Sequence, residues 1–151
     1  MKKNRVLLAL ILSTIVFSIN AQIPPVDDDG LAIGGYDVVA YFSNNAVKGD
    51  EGITAKYKNA TYQFSSKANR DLFQKSPTKY LPQFDGYCAW GIATKEVKYP
   101  INPETFDIVD GKLYLFFNGP FNGGNFNSME PWNAETTILI AAAHKKWSGV
   151  K

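Results

Sequence analysis

Residues 105–118 read TFDIVDGKLYLFFN. Two runs rich in Ile, Val, Leu, Tyr and Phe flank Asp110-Gly111, a dipeptide suited to the two-residue turn of an antiparallel hairpin because both positions tolerate positive φ. This is the clearest hairpin in the chain. Upstream, AKYKNATYQFSS (residues 55–66) repeats the pattern around Lys58-Asn59, with Tyr57, Tyr62 and Phe64 as strand-favouring aromatics. Ser65 or Ser66 then caps a helix through SKANRDLFQKS, which turns Ala68, Leu72 and Phe73 inward and stops at Pro77. PWNAETTILIAAAHKKW closes the chain as a further helix. Asn133 caps it, Glu135 lies near its positive end, and His144, Lys145 and Lys146 lie near its negative end.

The remaining segments are shorter. In LAIGGYDVVAYF, Gly34-Gly35 is a turn, and Val38, Val39, Tyr41 and Phe42 favour a strand. Residues 43–52 and GPFNGGNFNS (residues 119–128) read as loops. Cys88 to Thr94 reads two ways: it is small and apolar enough for a buried helical turn, but Gly86 and Gly91 bound it. Hairpins mixed with two or three helices, without strand–helix alternation, predict a single small α+β domain.

The first 21 residues read as an export leader. Lys2, Lys3 and Arg5 precede an apolar run from Val6 to Phe17, and Ala21 offers a small residue at the cut. That run is shorter than the ~20 residues a spanning helix needs. No cysteine lies near the cut to carry a lipid anchor. The expected organisation is a signal peptide at 1–21, a flexible Pro- and Asp-rich lead-in at 22–33, and one domain at 34–148. Such a chain is periplasmic or secreted and has no membrane span after cleavage.

Cleavage also changes the charge. The full chain has 16 basic and 14 acidic side chains; losing three basic ones leaves 13 against 14. Near-neutrality gives no positive face for nucleic acid. The chain holds ten Phe, eight Tyr and three Trp, of which only Phe17 falls in the leader. Aromatic burial can therefore supply the core stability that small exported domains often take from disulfides.

Cys88 is the one cysteine, so no internal disulfide forms. Ligand types limit a metal site to Cys88, Met129 and the single histidine His144, a three-ligand set of the kind that suits copper or another soft metal. His144 also has a sufficient role at a helix end. No GxSxG motif is present, the Asp27–Asp29 run lacks the spaced partners of a calcium loop, and the glycine pairs lack a phosphate-cradle context. Tyr87, Trp90, Tyr99, Trp132 and Trp147 can line a ligand pocket or simply fill the core.

Taken together, GYDVVAYF, TYQFSSKANRDLFQKSPTKYLPQFDGYCAWGIA and FDIVDGKLYLFFN resemble the exported YHS-domain family of bacteria, in the expected order from about Gly34 to Trp147. The wider YHS group is similar to small metal-binding modules of copper-transporting ATPases. In those modules cysteines lie before the first strand and in the segment matching YQFSSKANRDLF. Here Ser65, Ser66, Ala68 and Asn69 occupy that segment, and a hydroxyl is a poor replacement for a thiolate toward soft metals. Some family members are described as selenoproteins, and the resemblance implies selenocysteine at the position of Cys88.

Three roles for Cys88 follow. It is a small buried hydrophobe, a soft-metal ligand, or a reactive thiol that exchanges with an external partner for want of a resolving cysteine. The leading expectation is a non-catalytic binding module for a soft metal or small ligand centred on Cys88, with Tyr87, Trp90 and Trp132 as pocket walls. A thiol-dependent redox protein and a structural or interaction domain with inert Cys88 are the alternatives. The sequence names no protein partner.

Overall fold

The computed structural model describes residues 22–150, so the signal peptide expected at 1–21 lies outside the described residues. The architecture is α+β. Three two-stranded antiparallel sheets pair β1 (Asp50–Tyr57) with β2 (Ala60–Phe64), β3 (Asn102–Val109) with β4 (Lys112–Phe116), and β5 (Asn118–Phe121) with β6 (Gly124–Asn127). Five helices pack on them: α1 (Lys67–Lys75), α2 (Pro77–Tyr80), α3 (Ala89–Lys95), α4 (Met129–Ala134) and α5 (Thr136–Trp147). No helix among the described residues is long and apolar enough to cross a membrane.

The β3–β4 hairpin forms where the sequence places it. Asp110 and Gly111 take φ of 50° and 68°, and Val109 pairs with Lys112. Successive side chains on a strand point to opposite faces, and β4 is covered on both. Leu113 and Leu115 enter one apolar cluster, with Val38, Tyr41, Phe64, Phe73 and Ile101. Tyr114 and Phe116 enter a second, with Phe84, Ile92, Trp132 and Leu139. This one strand therefore divides the core into two halves.

The GYDVVAYF segment is not a strand. Asp37 is completely buried, and its Oδ1 accepts the N–H groups of Val39 at 2.9 Å and Ala40 at 3.3 Å. Those bonds bend the chain into a short 3-10 turn at Ala40–Ser43. The other oxygen accepts Ser65 N–H at 2.8 Å, the Ser65 hydroxyl at 2.7 Å and Asn69 Nδ2 at 2.8 Å. Ser66 caps α1 by accepting Asn69 N–H at 3.1 Å. One carboxylate thus fixes the 3-10 turn to the first turn of α1.

Three other expectations change. The segment GPFNGGNFNS contributes most of a hairpin: Asn122 and Gly123 take φ of 49° and 79° and join β5 to β6. Asn-Gly is a strong turn signal that the polar, glycine-rich composition hides. The closing helix is two helices, broken at Glu135 (φ −140°, ψ 35°), so Asn133 lies inside α4 and caps nothing. There the Thr136 hydroxyl and Glu135 N–H both bond Trp132 O, at 3.0 and 3.1 Å. Residues 22–33 are also tied down. Ile23 exchanges two 2.9 Å backbone bonds with Ile101, Ala32 N–H bonds Thr61 O at 2.9 Å, and Ala32 and Ile33 are buried. The packed body therefore includes part of the expected lead-in.

Candidate functional site

The segment GYCAWG (residues 86–91) runs through the middle of the molecule. Gly86 needs its glycine: its φ is +85°, and a Cβ there would lie 3.0 Å from Ile33 Cδ1. At Gly91 a Cβ would lie 2.5 Å from Tyr99 Cδ2 and 3.2 Å from Val97 O, so the bare helix backbone lets Tyr99 lie against it. Cys88 immediately precedes α3, and its N–H donates to Tyr99 O at 3.2 Å.

The thiol of Cys88 is closed off. Cys88 and Ser128 are both 0% exposed, and Sγ lies 3.2 Å from Ser128 Oγ. The Ser128 hydroxyl donates to Phe117 O at 2.9 Å, which leaves the thiol to donate to the hydroxyl. Ser128 N–H bonds the same carbonyl at 2.9 Å. The polar contact of the thiol is thus a short chain ending on a backbone carbonyl.

The three side chains expected as soft-metal donors stand in different surroundings, with Cys88 fully buried. Met129 is half-buried beside Ser128. His144 is exposed on α5, its ring centroid 5.0 Å from that of Phe84. Partial burial and the Lys112 ammonium hold its pKa below the ordinary imidazole value. Among the described residues no three His, Cys, Asp or Glu side chains group as a metal site. The Ser65–Asn69 segment is likewise committed, since Ser65 and Asn69 donate to Asp37.

Open space lies beside Cys88. A cleft of about 420 Å³ is lined by Trp90, Lys95, Tyr99, Phe117, Phe121, Phe126 and Pro131. Two walls come from the residues around the thiol: Tyr99 and Phe117 supply the carbonyls that bond Cys88 N–H and Ser128. The third is the β5–β6 hairpin. Its register pairs Phe121 with Gly124 and Gly119 with Phe126. Alternation puts both phenylalanines on one face, each opposite a glycine that fills nothing. Their rings sit 6.0 Å apart, Phe126 meets Trp90 edge-on at 5.1 Å, and Phe121 stays 51% exposed.

Of the three expected walls, only Trp90 lines this cleft. Trp132 is core, its ring 5.3 Å from Tyr114 and 5.2 Å from Phe116. It is fully buried because α4 lies against the second half of the core. Tyr87 and Trp147 instead hold Lys98 between their rings, at 5.4 and 5.5 Å. Phe117, Phe121, Phe126 and Lys95 were not legible as site residues. The signal that would have found the two hairpin phenylalanines is Asn122-Gly123, which sets their register.

Comparison with family models, curated proteins and solved structures returns no significant match.

Proposed function

We propose that this chain is a non-catalytic binding module, of the exported YHS type its sequence resembles, that holds a small apolar molecule in the cleft beside Cys88. The observation that carries this reading is the cleft itself. Its volume of about 420 Å³ falls within the ~300–1,000 Å³ usual for small-molecule sites, and aromatic groups supply most of its lining. Residues 1–21 support export, to the periplasm or beyond. In this reading Cys88 is packing behind the cleft. An exchanging thiolate needs access to its disulfide partner, and the enclosed sulfur offers none.

Calorimetric titration with naphthamide, a neutral bicyclic probe, tests the cleft. Wild type binds it, and Phe126→Ala, which removes a wall, binds it at least tenfold more weakly. Equal affinity in the two proteins, or no binding to wild type, overturns the reading.

A further inference from the structure

We infer that the cleft selects a hydrophobic organic acid, with the apolar body against the aromatic walls and the carboxylate at Lys95. The inference rests on the binding reading above and adds the charge of the ligand. Lys95 is the one charged residue in the lining, and no acidic residue joins it. It is the last residue of α3, exposed, with its ammonium 5.9 Å from the centroid of Trp90.

Its acidic neighbour is engaged elsewhere. Glu96 takes the left-handed conformation at φ 58°, and its carboxylate lies 3.4 Å from Lys146. Lys146 is further held by donation to Ala93 O at 2.9 Å. Among the described residues Lys95 has no carboxylate within ion-pair distance. An ammonium beside an apolar cleft attracts the opposite charge and repels a cationic ligand. Electron-rich rings alone would draw a quaternary ammonium, but here Lys95 already stands near the face of Trp90.

Three probes with one ring system separate the possibilities: naphthoate, naphthamide and naphthylmethylammonium. In wild type at low salt, naphthoate binds about two- to fivefold tighter than naphthamide, the range expected for a rim charge in solvent. The ammonium binds weakest. In Lys95→Met the acid and amide converge, and raising the salt toward 1 M has the same effect on wild type. Equal binding of acid and amide by wild type, or a preference that persists in Lys95→Met, overturns the inference and leaves the cleft reading intact. Tightest binding of the ammonium does the same. Failure of all three probes removes the cleft reading and this inference together.

Discussion

Asp37 and Cys88 are both completely buried side chains with polar atoms, yet their surroundings differ in kind. Asp37 sits at the convergence of five donors from three stretches of chain, and both its oxygens are used. Cys88 has one weak side-chain contact, to a serine that is itself satisfied by a carbonyl. A carboxylate enclosed by matched donors is a structural joint, since little remains for a ligand to satisfy. The thiol carries little of that load. A vacant apolar cleft lies beside it, between Trp90 and the β5–β6 hairpin. Polar saturation marks the scaffold, and the unfilled apolar space marks the candidate site.

The largest expected effect tests the joint. Asp37→Ala removes five hydrogen bonds and leaves Val39 N–H and both Ser65 donors without that acceptor, while Ala40 N–H keeps Asp37 O and Asn69 Nδ2 keeps Ser65 Oγ; it costs about 3 kcal/mol or more of unfolding free energy in urea titration. Asp37→Asn costs less because one oxygen remains. A loss under 1 kcal/mol for Asp37→Ala would show that water takes over the bonds and that the joint is dispensable.

Next comes Gly91→Ala, which forces a methyl against Tyr99 and costs about 1–3 kcal/mol. It also displaces a cleft wall, so naphthamide affinity falls with stability. Cys88→Ser follows at about 1 kcal/mol, from placing a stronger hydroxyl dipole where the thiol packs. The native thiol does not react with a maleimide until the protein is denatured. Fast labelling at neutral pH would reverse the contrast and restore the redox reading. Copper(I) leaves the melting temperatures of wild type and Cys88→Ser unchanged; a rise confined to wild type would restore the metal reading.

The remaining effects are in pH. Burial, then Asp85 and Tyr57, push the Tyr62 phenol up to about 12 from its ordinary 10. Folding therefore favours the protonated ring, and that contribution is full below pH 10 and lost as pH rises from 10 through 12. Tyr62→Phe flattens its part of an alkaline denaturation curve. Tyr41, buried with its hydroxyl 2.7 Å from Pro103 O, is shifted upward by burial and adds a loss at higher pH. His144 works on the acid side. Its lowered pKa means the unfolded chain takes up the proton first, so stability declines as pH falls below about 6.5, and His144→Gln removes that part.

Elements whose local chemistry agrees with their tertiary role were legible in the sequence. The Asp110-Gly111 and Lys58-Asn59 turns, the Ser66 cap and the Pro77 stop all act within a few residues, and the structure follows them. The GYDVVAYF segment failed for the opposite reason. Its strand propensity is overridden by Asp37, whose partners at Ser65 and Asn69 are distant in sequence. The site was half legible. Trp90 stood out beside Cys88 and Tyr99 among the aromatics able to line a pocket, whereas Phe121 and Phe126 became wall residues only through the register of a hairpin hidden in loop-like composition. Lys95 had no pattern at all to distinguish it.

The clasp between Ile23 and Ile101 bears on the order of assembly. Hairpins closed by two residues form in microseconds, because little chain entropy is lost before the first contacts are made. Ile23 must instead find a partner across most of the described sequence, and such closure is slow until the intervening chain has condensed. Pulsed hydrogen exchange during refolding should protect the amides of Leu113 and Leu115 before those of Ile23 and Ile101; simultaneous protection would contradict this order.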